Sequence, residues 1–228
     1  MSEMKVIARI QSDFKEKFGI PRQSGLVPQT RARIVFEPEY RNPDALRGLA
    51  GFSHVWLLWQ FSQAVREDGR WSPTVRPPRL GGNTRMGVFA TRSPYRPNPV
   101  GLSCVTLEDV QLQTGEGPVL IVGGADLLDG TPIYDIKPYL PYVDAHPDAR
   151  GGFGSEKKDY ALRIEFPDEL LTRVPEEKRD ALIGVLEGDP RPSYQDDPSR
   201  VYGVAFAGMN VKFTVANKML HVCAIEKA

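Results

Sequence analysis

The stretch MGVFATRSPYRPNPVGLSCVTLEDV (86–110) constrains the fold of this chain most strongly, because two strand patterns flank a loop that cannot be regular. From 100 to 110 apolar and polar side chains alternate, as in a strand with one buried face. Between the two patterns lie three prolines, which fix their backbone angles and lack N–H donors, so the loop fits neither a helix interior nor a central strand. The loop is therefore stiff, and it holds Arg92 and Arg96 in set directions.

The same alternation recurs along the first two thirds of the chain. It predicts strands at 4–10, 31–37, 53–61, 86–90, 100–110 and 118–125. One short helical pattern, NPDALRGLAG (42–51), interrupts them, with Asn42 as its N-cap. Many strands, few helices and loops rich in glycine and proline predict a mainly β fold, an antiparallel barrel or sandwich, up to about residue 145.

A second, smaller unit follows the polar and glycine-rich stretch 144–158, which is typical of a linker. Beyond it the sequence predicts a small α+β domain. Its elements are a strand at 160–166, a helix at 175–189 and strands at 200–208, 210–216 and 219–226, the last two joined at Asn217–Lys218. We therefore expect two domains, 1–148 and 155–228.

The composition is that of an ordinary soluble globular protein, with 228 residues, 41% of them hydrophobic and 25% charged. The longest apolar run, 55–59, is far too short to span a bilayer, and MSEMKVIARI lacks the pattern of a secretion signal, so we expect a cytoplasmic protein with no membrane partner. Cys104 and Cys223 lie in apolar patterns and are expected to be reduced and buried. Two cysteines and three scattered histidines have no zinc spacing, so we expect no metal.

Charge is balanced overall but unevenly distributed. Seven arginines lie between 66 and 96, against two acidic residues, whereas the charged residues of 97–150 are mostly acidic. Arginine suits a bidentate grip on phosphates and carboxylates. The arginine block therefore favours an anionic polymer as partner.

The acidic segment centres on GGADLLDGTPIYDIKPY (123–139). An aspartate in an Asp-Gly turn is often only a turn former, and this explanation covers Asp126 or Asp129. The whole run, which continues to Asp135 and Lys137, favours a cationic ligand.

Two further loops place an arginine among prolines or glycines, GIPRQSGL (19–26) and DPRPSY (189–194). In the second, Tyr194 could stack on a base. No glycine motif of a Rossmann fold or a P-loop is present in the sequence, which argues against those nucleotide sites.

Five stretches together resemble the TrmO/TsaA-like family of bacterial tRNA methyltransferases. They are PRQSGL, GFSHVW, RPPRLGGNTRMGVFATRSPYRPNPVGLS, DLLDGTPIYDIKPYLPY and DPRPSY, and the likeness spans essentially the whole chain. The resemblance implies a single-sheeted antiparallel β-barrel that binds S-adenosylmethionine, a small C-terminal domain and a homodimer. It also implies the reaction, N6-methylation of threonylcarbamoyladenosine at position 37, beside the anticodon, of threonine tRNA.

The resemblance also implies which residues would hold the cofactor around the proline loop. They are Pro21, Arg22, Gln23, Ser62, Gln63, Arg92, Leu102, Asp129, Gly130, Thr131 and Pro132. The acceptor N–H must lose a proton, and a carboxylate within hydrogen-bond reach is the simplest acceptor, so Asp135 is the candidate catalytic residue. For tRNA contact the candidates are Arg76, Arg79, Arg85, Arg191 and Tyr194.

Two other functions stay open on the residues alone. An RNA-binding module without catalysis would explain the arginine block and DPRPSY, but it would leave the acidic run unexplained. A nucleotide hydrolase could use paired aspartates, but it would normally require a metal. Of the three, only the methyltransferase is expected to bind S-adenosylmethionine.

Overall fold

The computed structural model describes residues 4–64, 70–77, 80, 83–155, 160–191 and 197–228. Within these parts the chain forms twelve strands and three α-helices, joined by short 3-10 turns. In the first part the strands are β1 Ala8–Gln11, β2 Arg31–Phe36, β3 His54–Gln60, β4 Thr74–Val75, β5 Met86–Gly87, β6 Val100–Gln111, β7 Val119–Gly123 and β8 Pro132–Pro138.

Six of these strands close into one barrel, in the order β1-β2-β7-β6-β3-β8. Every neighbouring pair is antiparallel, including β8 with β1, which closes the ring. Alternate side chains point inward, and those of Val55, Leu57 and Ile133 are fully buried. In a barrel of so few strands the interior is filled by side chains. The single-sheeted antiparallel barrel is thus confirmed, and its filled interior leaves the loops and the outer face for a ligand.

In the first part of the chain, one predicted strand is much shorter in the structure and one strand was not predicted. The pattern at 86–90 forms only the short strand β5, which pairs with β4, and residues 88–90 turn as a 3-10 helix. Conversely, β8 lies in the run that the sequence indicated only as acidic and turn-rich. Its prolines, Pro132 and Pro138, stand at its two ends, where a strand tolerates a missing N–H donor.

The helical pattern at 42–51 becomes two 3-10 turns, Pro43–Leu46 and Leu49–Gly51, instead of one α-helix. Asn42 does cap the first, since its side chain accepts a hydrogen bond from the Asp44 backbone N–H at 3.0 Å. Between the turns, Gly48 has a φ of +87°, which interrupts a right-handed helix.

The second part begins after the short helix α1 Pro141–Asp144 and contains a four-stranded sheet. Its elements are β9 Arg163–Glu165, α2 Asp168–Leu171, α3 Glu176–Glu187, β10 Tyr202–Phe206, β11 Met209–Ala216 and β12 Met219–Lys227. The order is β10-β11-β12-β9, with β9 parallel to β12. The predicted turn at Asn217–Lys218 is confirmed, since both residues have positive φ, 51° and 60°, as the tight hairpin turn requires.

The long connection between β1 and β2, residues 12–30, packs against both parts, and we call it the bridging segment. Phe14 and Val27 belong to the core of the C-terminal part, and the Phe14 ring lies 5.6 Å from that of Phe206. Lys178 of α3 pairs with Asp13 at 2.5 Å. The bridging segment, which continues β1 and leads into β2 of the barrel, is therefore anchored in the core of the C-terminal part.

Both cysteines are free, as expected. Cys104 is half-buried on β6, but Cys223 is exposed, so the expectation that both are buried was wrong for Cys223. Alternation on β12 places Cys223 on the solvent side of the sheet. Among the helices in the described parts of the chain, none has the length and apolar character needed to cross a membrane.

Candidate functional site at the barrel rim

The strand register brings the candidate cofactor segments to one end of the barrel, which we call the rim. Gln11 near the end of β1 pairs with Arg33 of β2, and Arg31 pairs with Gly123 at the end of β7. On the other side, the end of β3 pairs with the start of β6 and with the start of β8. The loops that leave from this rim are 12–30, 61–64, the proline loop before β6 and the connection 124–131.

At the rim, Arg92 of the proline loop contacts the bridging segment. Its Nη1 donates to Oε1 of Gln23, and Nε2 of Gln23 donates in turn to the Arg22 carbonyl. Arg22 donates through Nη2 to the backbone carbonyl of Asp189 at 3.2 Å, so its guanidinium reaches the C-terminal part. Arg22 and Arg92 are both exposed, and Pro21 beside them is half-buried.

Ser62 and Gln63 are exposed in a 3-10 turn that follows β3. The Gln63 carbonyl accepts a hydrogen bond from Lys17 of the bridging segment at 3.3 Å. Directly before Ser62, the Phe61 N–H donates to the Pro99 carbonyl at 2.9 Å, which ties the end of β3 to the proline loop. These contacts hold the 61–64 turn beside both segments.

Leu102 and Asp135 share the outer face of the barrel. Leu102 on β6 pairs with Leu58 on β3, and Leu58 pairs with Asp135 on β8. Leu102 is 55% exposed on this face. The Asp135 carboxylate forms an ion pair with Lys137 at 3.0 Å. The candidate proton acceptor therefore lies two strands away from the candidate cofactor contact, on the same surface.

The turn 129–132 is held by β1 and the start of the bridging segment. The Asp129 carboxylate accepts from the Ser12 N–H at 2.9 Å and pairs with Lys15 at 2.6 Å. Gly130 has a φ of +75°, and Thr131 is buried with its hydroxyl donating to the Leu128 carbonyl at 2.7 Å. The carboxylate of Asp129 is thus bound to the protein's own groups.

Asp126 lies at the same rim and was not among the candidate cofactor residues. Its Oδ1 accepts from the Ser103 hydroxyl at 2.6 Å, and the Ser103 Oγ accepts from Nε1 of Trp59 at 2.9 Å. Burial raises the pKa of Asp126, although the Ser103 hydroxyl, backbone N–H groups and the charge of Arg92 act in the opposite direction. The signal in the sequence is the position of this aspartate between two core residues, Ala125 and Leu127.

The candidate tRNA residues are in three different situations. Arg76 and Arg85 are exposed beside the β4–β5 hairpin, and Arg85 donates to the Thr74 hydroxyl at 3.3 Å. Arg79 and Tyr194 lie outside the described residues. Arg191, at 9% exposure, is buried and pairs with Asp189 at 2.9 Å, so its guanidinium is directed into the protein and not to solvent. No group of three or more metal-ligating side chains is gathered by the described residues.

A closed antiparallel barrel with charged loops gathered at one rim, followed by a small four-stranded sheet with two helices, defines a class of two-part β-barrel proteins. A family model described as the tRNA-methyltransferase O N-terminal domain matches residues 9–145, and one described as the TrmO C-terminal domain matches residues 159–228. The chain therefore belongs to the tRNA-methyltransferase O family.

Relatives and solved structures agree with this assignment. The chain is 41% identical to a tRNA (adenine(37)-N6)-methyltransferase of Escherichia coli K12, over 98% of this chain and 97% of that protein. It is 48% identical to a protein of the same name from Eikenella corrodens, over 76% of this chain and 97% of that one. The crystal structure of TrmO from Pseudomonas aeruginosa is similar with a TM-score of 0.76 at 34% identity, over 99% of each chain.

Proposed function

We propose that this protein transfers a methyl group from S-adenosylmethionine to N6 of threonylcarbamoyladenosine at position 37 of threonine tRNA. The observation that carries the proposal is the convergence of Arg92, Gln23 and Leu102 on one rim of a barrel of this family. Relatives with sequences similar to nearly the whole chain carry the name tRNA (adenine(37)-N6)-methyltransferase. As a tRNA-modifying enzyme it would act in the cytoplasm.

The donor set at the rim fits S-adenosylmethionine. The cofactor combines an amino-acid zwitterion, a sulfonium cation and a nucleoside, so its site needs both signs of charge and some apolar surface. The rim offers a cation in Arg92, the amide of Gln23 and the exposed side chain of Leu102. The turns at Ser62–Gln63 and Asp129–Pro132, together with Pro21 and Arg22, would form the remaining walls.

When bound, the cofactor supplies a methyl carbon that a nucleophile can attack in line with the departing thioether. The protein's main contribution is alignment, and correct orientation can lower such a barrier by roughly 7–11 kcal/mol. The stiff proline loop and the hydrogen bonds that fix its neighbours serve this alignment. Asp135 would take the proton from the acceptor nitrogen, with Lys137 at 3.0 Å holding its carboxylate in place.

The tRNA would lie along the arginine block, with Arg76 and Arg85 exposed to its phosphates. We keep Arg79 and Tyr194, outside the described residues, as further candidates. Each substitution that removes one bond to a phosphate should flatten the dependence of log affinity for tRNA on log salt by about one unit. For Arg191, buried beside Asp189, a supporting role for the 189–191 turn accounts better for its position than a direct bond to a phosphate.

We further propose a homodimer whose interface lies beside the 92–102 and 126–135 segments. Large apolar side chains are exposed around the proline loop, among them Phe89 at 72%, Tyr95 at 55% and Leu102 at 55%. Loops on one barrel leave a ligand open on one side, whereas small-molecule sites usually bury about 70–90% of their ligand. Dilution to monomer should abolish cofactor binding, and a monomer by light scattering that binds at full strength would contradict the dimer.

Calorimetric titration of the full chain with S-adenosylmethionine tests the function, followed by methyl transfer to threonine tRNA with and without the threonylcarbamoyl group. We expect binding of the cofactor and methylation only of the tRNA that carries the group. An RNA-binding module would bind tRNA but not S-adenosylmethionine. A nucleotide hydrolase would bind neither S-adenosylmethionine nor tRNA. We assign the rim to domain 1–148 and expect domain 155–228 to contact tRNA.

A further inference from the structure

The Asp126 carboxylate is held in a fixed position at the rim. Its Oδ1 accepts from the buried Ser103 hydroxyl at 2.6 Å, and the N–H of Trp59 fixes Ser103 from the barrel interior at 2.9 Å. The backbone N–H of Ser24 faces the same carboxylate from the bridging segment. Donors from the barrel and from a loop therefore orient one anion between them.

No ion pair formed by the described residues includes Asp126. The lysines of the bridging segment contact other groups, since Lys15 pairs with Asp129 and Lys17 donates to the Gln63 carbonyl. Arg92 is close enough to act on the Asp126 carboxylate electrostatically, but its guanidinium donates to Gln23. The rim thus carries an oriented anion and, near enough to act on it, the Arg92 cation, and no ion pair found among the described residues joins the two.

Such an arrangement is complementary to a free amino-acid group, which has a cation and an anion on one carbon atom. We propose that Asp126 binds the α-ammonium group of the methionine moiety of S-adenosylmethionine, while Arg92 binds its α-carboxylate. The inference rests on the proposed function, and it adds to the cofactor contacts a residue that the family resemblance did not include.

The ammonium group is a better partner for Asp126 than the sulfonium. An ammonium has three N–H donors for the carboxylate, whereas a sulfonium has none. In addition, positive charge leaves the sulfur as the methyl group departs, so an anion against sulfur would stabilise the ground state more than the transition state. A carboxylate on the ammonium holds the cofactor without that penalty.

The test is calorimetry on the full chain with three ligands that separate the parts of the cofactor. S-adenosylmethionine and S-adenosylhomocysteine both carry the amino-acid group, but only the first has the sulfonium, and 5′-methylthioadenosine lacks the amino-acid group. Asp126→Asn should lower the affinity for S-adenosylmethionine and S-adenosylhomocysteine by about 10- to 150-fold, as expected when a hydrogen bond between charged groups is removed. Its affinity for 5′-methylthioadenosine should stay within about twofold of the wild type.

A pH titration and a second variant separate binding from a structural role. The groups that face the carboxylate are the Ser103 hydroxyl of β6 and the Ser24 amide, and the charge of Arg92 acts on it from the proline loop. Affinity of the wild type for S-adenosylhomocysteine should fall as pH drops through the pKa of Asp126, which burial raises, and that of Asp126→Asn should stay flat. Ser103→Ala, which keeps the charge, should lose less affinity than Asp126→Asn.

An equal loss of affinity for all three ligands in Asp126→Asn would overturn the inference, because it would indicate a structural role for Asp126. Unchanged affinity for S-adenosylmethionine in that variant would overturn it as well, while the proposed function would stand. If the wild type bound none of the ligands, the proposed function itself would fail, together with this inference. Should Asp126→Asn not fold, the pH titration of the wild type decides: a flat profile rejects the inference.

Discussion

Two aspartates in this molecule are withdrawn from water, one at the barrel rim and one in the C-terminal part, and their surroundings differ. Asp189 has its own cation, since Arg191 donates to both carboxylate oxygens, at 2.9 and 3.0 Å, and the Tyr160 hydroxyl donates at 2.8 Å. Burial alone would raise the pKa of Asp189, but these partners outweigh it and lower the pKa. Asp126 has hydroxyl and backbone donors and no cation in contact among the described residues, and burial raises its pKa.

The difference separates a charge that serves the fold from one that is available to a ligand. A buried carboxylate with a bidentate arginine is satisfied within the chain. One that lacks such a partner costs folding free energy, and groups of this kind are typical of functional sites. The two regions are connected, because Arg22 of the bridging segment donates to the Asp189 carbonyl while its neighbour Gln23 contacts Arg92.

Removing the Asp189 region altogether should have the largest effect. Without residues 155–228, the side chains of Phe14 and Val27 lose the core in which they are buried, and Arg22 no longer has the Asp189 carbonyl as its acceptor. Loss of the packing around one buried aromatic side chain alone lowers the free energy of unfolding by about 3–5 kcal/mol. We expect the truncated chain to lose cofactor binding together with tRNA methylation, measured by calorimetry and a methyl-transfer assay. Full cofactor affinity in the truncated chain would show that the barrel organises its rim alone.

Breaking the internal pair is the next largest change. Arg191→Ala leaves Asp189 buried without its cation and should lower the free energy of unfolding by about 3–5 kcal/mol, measured in urea. Because the folded pKa of Asp189 is lowered, the pair stabilises the protein above the ordinary aspartate pKa, and this contribution is lost as pH falls through the folded value. The free energies of unfolding of the variant and the wild type should therefore converge at acidic pH.

The matched control for that change is Arg173→Ala. Arg173 is exposed, and its substitution should alter stability by no more than about 0.5 kcal/mol. Equal effects of the two substitutions at neutral pH would contradict the structural role of Arg191.

At the rim, Arg92→Ala should weaken S-adenosylmethionine binding by about 1.5–3 kcal/mol, the range for a hydrogen bond to a charged group, with the fold intact. Arg76→Ala is the control, because Arg76 is an exposed arginine of the same block that is expected to contact tRNA and not the cofactor. Calorimetry measures both. Unchanged affinity in Arg92→Ala would refute its role in cofactor binding, and loss of folding would give it a structural one.

The smallest effect concerns the stability contributed by Asp126. Since burial raises its folded pKa, the charged carboxylate destabilises the folded state at neutral pH, and this cost disappears as pH falls toward the ordinary aspartate pKa. Asp126→Asn should therefore be slightly more stable than the wild type at pH 7, by less than about 1 kcal/mol, and lose the advantage in acid. Thermal unfolding across pH measures the stability difference between the variant and the wild type. A difference in favour of the variant that grows as pH falls would contradict the prediction.

Elements with local patterns could be predicted from the amino-acid sequence alone. Alternation over 53–61 and 100–110 predicted β3 and β6 almost to the residue, because a strand with one buried face repeats every two residues. Asn217–Lys218 predicted a tight turn for an equally local reason. Together with the proline loop, these patterns indicated the barrel class and, through the resemblance, the candidate segments around the cofactor.

The pairing of the charged residues is evident only in the folded chain. Arg92 and Arg191 both lie among prolines in the sequence, but one is exposed at the rim and the other is buried beside Asp189. Likewise, Asp129 is bound by Lys15, whereas the groups of the described residues that act on Asp126, three residues earlier, are neutral donors and Arg92 at a distance. The energy of a charge depends on burial and on partners brought from far along the chain, here more than 100 residues away for Lys15 and Asp129, and no local pattern contains that information.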